Sequence, residues 1–166
     1  MKNTFLLPLI IAFLLAIGGI GAFLFYHYAA LAQRQAMIHN KGESVMPFNL
    51  SQTTHIFKKT DTGGIQQVIA KDPKNTQQIS LIRMHLQMEA GLFQKGDFKD
   101  PMTLHGNSMP GVQELSQGAK SIAISYVDLP NGGQITYSTK DTNLVNTIHT
   151  WFDAQLSDHG NDAMGM

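Results

Sequence analysis

The sequence predicts an α+β domain behind an N-terminal apolar helix that serves as a transmembrane anchor or a signal peptide. One observation is a run of 24 residues, 5–28, without Asp, Glu, Lys or Arg. The other is that two later segments each combine a β-hairpin pattern with an amphipathic helix. Because each ββα unit has one apolar sheet face and one apolar helix stripe, two units can bury these surfaces together. We therefore expect a (ββα)2-like domain, with a four-stranded, mainly antiparallel sheet and two main helices on one face.

The apolar run Phe5–Tyr28 is long enough to cross a membrane. At about 1.5 Å per residue such a helix reaches roughly 36 Å, more than a hydrocarbon core of about 30 Å. Lys2 would supply the basic start of a signal, and Ala30-Leu31-Ala32 before Gln33 has the form of a cleavage site. The length favours an uncleaved anchor over a cleaved signal. Either process exports the rest of the chain. In a bacterium we therefore expect an inner-membrane anchor with a periplasmic domain, or a domain secreted to the periplasm if cleavage follows Ala32.

The rest of the chain divides into three further parts. After the anchor or signal at residues 1–32, residues 33–50 read as a helical extension and linker ending near Pro47. Residues 51–160 form the predicted exported α+β domain, and residues 161–166 a short tail. About 130 residues after the anchor are enough for one domain with a modest core.

Composition excludes several classes of function. Twelve Lys and Arg balance twelve Asp and Glu, so no basic surface for nucleic acid is indicated. The absence of cysteine removes disulfides, thiolate metal ligands and thiol catalysis together. Seven His and nine Met remain, and imidazole and thioether groups suit copper or haem, although Met is also an ordinary core residue.

The first predicted ββα unit begins with a hairpin over residues 53–71, whose turn is Asp61-Thr62-Gly63-Gly64. The glycines provide the positive φ angles that tight turns favour. Asp72-Pro73 is then expected to open a helix that ends at Gly96-Asp97, with Asp as the cap. Its apolar stripe recurs at helical spacing: Ile79, Ile82, Leu86, Ala90 and Phe93.

The second unit follows a loop-rich stretch, residues 96–111, and a short helix near Val112–Gln117. Its hairpin turns at Pro130-Asn131-Gly132-Gly133, and Asp141 caps a last helix. The predicted buried face of that helix is Leu144, Val145, Ile148, Phe152 and Leu156. The paired glycines occupy matching places in the two units, which indicates an internal repeat, with chance similarity as the alternative.

The first candidate site is a pair of helix histidines, His85 and His149. Met88 lies three residues after His85, within reach of a shared ligand, and Asp153 lies one turn after His149. If the two units are related by pseudo-symmetry, the imidazoles could face one another and hold a metal ion or, less favoured, a haem. The alternative is two core-edge histidines hydrogen-bonded to backbone or carboxylate groups.

Further candidates lie in the loop and at the end of the chain. The loop that contains Met102, His105 and Met109 could fold around one soft ion, or its methionines could plug it onto the core. His159 could join His149 as a third ligand, or simply end the last helix favourably as a cation. His55 in the first strand is the weakest candidate. The predicted metal ligands are therefore His85, His149, His105, His159, Met88 and Met109, with no catalytic residue assigned.

Five segments also carry a resemblance to a known group of proteins: TTHIFKK, HLQMEAGLF, GDFKDP, HGNSMPG and IHTWFDAQLSDHG. They resemble small exported bacterial proteins that genome annotation leaves uncharacterised or labels "aspartate carbamoyltransferase". The resemblance covers residues 45–163 and implies no established activity. The chain is too short for such a transferase and lacks the Ser-Thr-Arg-Thr loop that holds carbamoyl phosphate there. The resemblance does include five histidines in its recognisable segments: His55, His85, His105, His149 and His159.

These observations favour an exported, membrane-anchored protein that binds a transition metal, copper first, and carries or senses the ion. The alternative is a non-metal module that docks an envelope protein through its sheet or the 96–111 loop. An enzyme of the labelled family comes third, because the sequence contains no nucleophile elbow, phosphate loop, H-E-x-x-H or dinucleotide fingerprint. A metal protein requires several of the named side chains to converge on one point. A docking module should instead have scattered histidines, and an enzyme should have a deep polar pocket with a His–carboxylate pair.

Overall fold

The computed structural model describes residues 6–166, so Lys2 and Phe5 lie outside the described part of the chain. Helix α1 runs without a break from Leu6 to Gly42. Its stretch Ile10–Gly42 is long and apolar enough to cross a membrane, and the most apolar part of that stretch is not buried against the protein. By length and composition a signal sequence passes the same test. The helix could therefore anchor the chain in a membrane.

The part of the chain after α1 is an α+β domain, as predicted, with a five-stranded mixed sheet in the order β3-β4-β2-β1-β5. Two antiparallel hairpins supply four strands: β1 (Thr53–Thr60), β2 (Gly63–Ala70), β3 (Ala123–Leu129) and β4 (Gly132–Ser138). The hairpins join through β2 and β4, which are also antiparallel. The expected tail adds the fifth strand, β5 (Ala163–Gly165), which pairs parallel with β1.

The turn glycines allow the two hairpins to dock closely. Gly63 has a φ of +147°, and a Cβ there would overlap the carbonyl oxygen of Tyr137. Gly132 has no positive φ, but a Cβ there would overlap the carbonyl oxygen of Val68 on the neighbouring strand. The predicted reason, a left-handed turn conformation, therefore applies to Gly63 only, while Gly132 permits close backbone approach.

Two long helices pack on the sheet, as predicted: α2 (Thr76–Phe93) contacts β2, β3 and β4, and α5 (Thr142–His159) contacts β1, β2 and β5. The ring centroids of Phe93 and Trp151 lie 6.1 Å apart, so the two helices share one core. Trp151 is fully buried, although the predicted buried face of α5 omitted it. Ile148 and Phe152 are buried as predicted, whereas Leu144, Val145 and Leu156 are only partly covered.

The predicted start of α2 is wrong by three residues. Asp72 accepts a hydrogen bond from the backbone N–H of Lys74 at 2.9 Å and so forms a local turn. Asn75 is the cap instead, because its side chain accepts from the N–H of Gln78 at 3.2 Å. The predicted cap of α5 is confirmed, with Asp141 accepting from the N–H of Asn143 at 2.9 Å.

The segment expected to be a loop contains a short helix, α3 (Lys99–His105), before α4 (Val112–Gly118). Pro101 suits the first turn of α3, where its missing N–H costs nothing. Residues 33–42 of the expected linker belong to α1, and Ile38 there is fully buried in the core. The last part of α1 is thus packed on the domain, where it contacts α3 and α5.

Candidate metal centre

A small cavity lies where α2, α3 and α5 meet β1. Its volume is about 50 Å³, which is room for one or two water molecules at roughly 30 Å³ each. Four histidines line it, so we call it the histidine cavity: His55 from β1, His85 from α2, His105 from α3 and His159 from α5. Its other polar lining residues are Gln66, Glu89, Asp100 and Gln155.

Buried polar atoms without a hydrogen-bond partner are concentrated around this cavity. Within residues 6–166, five such side-chain atoms occur, and every one belongs to a residue that lines the histidine cavity. Each unpaired buried group costs about 1–3 kcal/mol. A polar occupant, such as water or an ion, would pair with them. The five atoms are His55 Nδ1, His85 Nδ1, Glu89 Oε1, Trp151 Nε1 and His159 Nδ1.

Three of the lining residues form a compact set of metal donors, which we call the His–Glu–Asp group: His85, Glu89 and Asp100. His85 and Glu89 lie one turn apart on the same face of α2, and Asp100 reaches them from the first turn of α3. One ligand atom from each lies within 4.8 Å of the others. Donors bound to one ion at about 2.1 Å lie at most about 4.2 Å apart, so a small side-chain movement would let all three reach one ion.

Burial shifts the pKa values of two residues in the His–Glu–Asp group. Burial raises the pKa of Glu89 to about 8, and the neighbouring carboxylates of Asp100 and Asp97 add to the shift. Burial lowers the pKa of His85, partly offset by the charge of Asp100. At neutral pH Glu89 therefore keeps a proton while the imidazole of His85 is neutral and has a free lone pair. A bound metal ion would displace the proton of Glu89.

The other three histidines of the cavity form a stacked cluster. The rings of His55 and His159 stack with centroids 4.7 Å apart, and His105 meets His159 edge-on at 5.0 Å. Burial lowers the pKa of His55 to about 4, and burial with neighbouring imidazoles lowers that of His159 well below its ordinary value. These two rings are therefore neutral at physiological pH, and each keeps an unpaired Nδ1.

His105 is oriented by a carboxylate that is itself held from α1. Its Nδ1 lies 2.8 Å from Asp158 Oδ2, and Arg34 Nη2 donates to the same oxygen at 2.6 Å. Burial alone would raise the pKa of Asp158, but the hydrogen bonds from His105 and Arg34 outweigh burial and lower it. A carboxylate that accepts from one imidazole nitrogen fixes the ring orientation and tautomer, an arrangement common behind metal-binding histidines.

The structure brings three of the four predicted histidine ligands, His85, His105 and His159, to one cavity, together with His55. His149 lies elsewhere: its Nε2 is 2.9 Å from the carbonyl oxygen of Gly63 and 3.1 Å from that of Thr60. This is the alternative weighed for His149, a core-edge histidine bonded to backbone. Asp153, expected beside His149, instead accepts a hydrogen bond from Lys59 at 2.7 Å.

The two predicted methionine ligands do not line the histidine cavity. Met109 is buried in the hydrophobic core, which agrees with the plug alternative. Met88 is half exposed on α2 and lines a separate groove next to His85. Met46 is the methionine among the cavity-lining residues.

Sequence reasoning missed Glu89 and Asp100 as donors. One signal was present, since Glu89 follows His85 by four residues and so lies on the same helix face. Asp100 had no such signal, because its position depends on α3, which was expected to be a loop.

The histidine cavity offers one ion an imidazole and two carboxyl groups, with three further imidazoles around the same space. Comparison of the chain with family models, curated proteins and solved structures found no match. The function is therefore inferred from the chemistry of the cavity.

Proposed function

We propose that this protein binds a divalent transition-metal ion in the histidine cavity, through His85, Glu89 and Asp100. The observation that carries the proposal is the concentration of the five unpartnered buried polar atoms around that one cavity. A metal ion with one or two bound waters would pair with several of them, and water would accept from the indole N–H of Trp151.

The donor set favours copper in its divalent state, with Zn²⁺ next. Imidazole suits copper, zinc, iron and nickel, whereas carboxylate is a harder ligand than the thioether that selects Cu⁺. Among divalent ions Cu²⁺ binds such nitrogen and oxygen sites most tightly. Copper is thus retained from the sequence analysis, with oxygen donors in place of Met88 and Met109.

The size of the cavity favours carrying or sensing an ion over turnover of a substrate. A volume of about 50 Å³ fits an ion and water, whereas small-molecule pockets measure about 300–1,000 Å³. The clustering of four histidines also argues against the docking-module alternative, which expected scattered histidines with separate partners.

We further propose that α1 is retained as a membrane anchor, with the domain in the periplasm of a bacterium. Two observations support retention. The helix is continuous through Ala32 and Gln33, where a signal would be cut. Two residues further on, Arg34 pairs with Asp158 of the domain, so a cut there would fall at the edge of a docked segment.

The test is metal binding by the full chain, purified in detergent without a histidine tag. After loading with Cu²⁺ or Zn²⁺ and dialysis, mass spectrometry should find about one ion per chain. Glu89→Gln with Asp100→Asn should lower affinity at least tenfold in calorimetry, and His85→Ala should do the same. His149→Ala is the matched control, because His149 lies outside the cavity. A wild type that retains no ion, or equal losses in His85→Ala and His149→Ala, would refute the proposal.

A further inference from the structure

A second concave surface lies on the other side of His85. This groove, with a volume of about 380 Å³, is lined by Met46, Met84 and Met88, and we call it the methionine groove. Val45, Met46 and His85 line both the groove and the histidine cavity, so these three residues lie between the two. The remaining lining comes from residues 43–45 and Pro47, and so includes the acidic residue Glu43.

Two of the three methionines are placed where core packing does not explain them. Met84 is 58% exposed and Met88 is 49% exposed, although both belong to a residue type that usually fills cores. They lie one turn apart on α2, with Cβ atoms about 5–6 Å apart by helix geometry. Each side chain has three rotatable bonds, so the two sulfurs can approach a common point above the groove.

We infer that the methionine groove is a second metal site, which binds a soft monovalent ion, Cu⁺, through Met84 and Met88, with Met46 beneath them. Thioether ligands select Cu⁺ over the divalent ions that suit the His–Glu–Asp group. The carboxylate of Glu43 adds a negative charge that attracts a cation to the same surface. The groove site depends only on the residues of the groove. Passage of an ion from the groove to the histidine cavity beside His85 is a further inference that rests on the proposed function.

The test uses Ag⁺ as a redox-inert probe with the charge and softness of Cu⁺, titrated into the full chain in detergent and chloride-free buffer. The double variant Met84→Leu/Met88→Leu keeps the side-chain volume and removes both sulfurs. We expect it to weaken Ag⁺ binding at least tenfold and to change Zn²⁺ binding less than twofold. Met164→Leu, a half-exposed methionine in β5, is the matched control and should leave Ag⁺ binding unchanged.

The reciprocal variant separates the two sites. Glu89→Gln/Asp100→Asn should lower the affinity for Zn²⁺ at least tenfold and leave Ag⁺ binding within twofold of wild type. Circular dichroism checks that each variant is folded. Ag⁺ binding that survives loss of both sulfurs, or that falls equally in Met164→Leu, would overturn the groove site. If wild type binds Ag⁺ but no divalent ion, the site in the histidine cavity fails while the groove site stands.

Discussion

Protonation of Glu89 affects both the stability of the fold and the proposed metal site. Its carboxyl group is buried, and its pKa is raised to about 8 from an ordinary 4.5. Between these two pH values the folded chain holds a proton that the unfolded chain has released. The stability that this proton contributes is fully present below pH 4.5 and is lost as pH rises to about 8.

The variant Glu89→Gln should reveal this linkage, because its amide stays neutral at every pH. In the metal-free protein, we expect the free energy of unfolding of the variant, minus that of wild type, to increase as pH rises from 5 to 8. The gain should approach about 1.4 kcal/mol per pH unit, and the difference should be constant above pH 8. Urea denaturation of both proteins across this range measures it. A difference that is the same at pH 5 and pH 8 would mean that Glu89 is ionised in the folded state.

At this scale the sequence identified part of the site. His85 was selected because a histidine on an apolar face needs a partner. His105 was selected because it lies between two methionines in one loop, and His159 as a possible third ligand at the end of the last helix. His149 was selected together with His85, but its partners are two turn carbonyls. Helical spacing cannot distinguish a cavity-lining histidine such as His85 from a backbone-bonded one such as His149, since each lies on a helix beside apolar neighbours.

Among the secondary-structure elements, the hairpins depend on the absence of a side chain at Gly132. A Cβ there would overlap the Val68 carbonyl oxygen, between the two central strands. We expect Gly132→Ala to destabilise the protein by more than about 2 kcal/mol, since the overlapping atom is backbone and cannot rotate away.

The matched control is Gly91→Ala in α2, where an added Cβ meets nothing within 4 Å. In a helix interior this change should stabilise by about 0.5–1 kcal/mol. Thermal denaturation of both variants provides the comparison. Equal stability of Gly132→Ala and wild type would contradict the close docking of the hairpins.

The missed elements are short, although α4, which is as short as α3, was predicted. The hairpins and the two long helices were predicted because each spans enough residues to display a period. Helix α3 has seven residues and β5 has three, too few to show one. Both form because they pack against partners distant in sequence, which local pattern does not report.

For the whole molecule, the end of α1 connects the apolar helix to the walls of the histidine cavity. Arg34 pairs with Asp158, which orients His105, and His39 Nδ1 lies 2.6 Å from Asp162 Oδ2. Lys41 donates to the carbonyl oxygen of Thr103 in α3. These contacts explain why residues 34–42 are better regarded as part of the domain than as a spacer.

Arg34→Met should therefore destabilise the domain and disturb His105. Without the guanidinium, Asp158 is a largely buried carboxylate with one partner fewer. Because Arg34 is 41% exposed, we expect a loss of about 1–2 kcal/mol rather than the full cost of a buried pair. Chemical denaturation of the full chain in detergent measures it.

The matched control is Lys59→Met, which breaks the exposed ion pair with Asp153 and should cost less than about 0.5 kcal/mol. Similar losses in the two variants would show that the contact between α1 and Asp158 is an ordinary surface pair.

The most direct test of the proposed metal site is X-ray absorption spectroscopy of the full chain loaded with one equivalent of Zn²⁺. We expect a first shell of nitrogen and oxygen at about 2.0–2.2 Å, with outer-shell scattering from imidazole, and the signal should disappear in Glu89→Gln/Asp100→Asn. A sulfur shell at about 2.3 Å, or a spectrum of hydrated zinc free of the protein, would contradict the assignment of the histidine cavity as a divalent metal site.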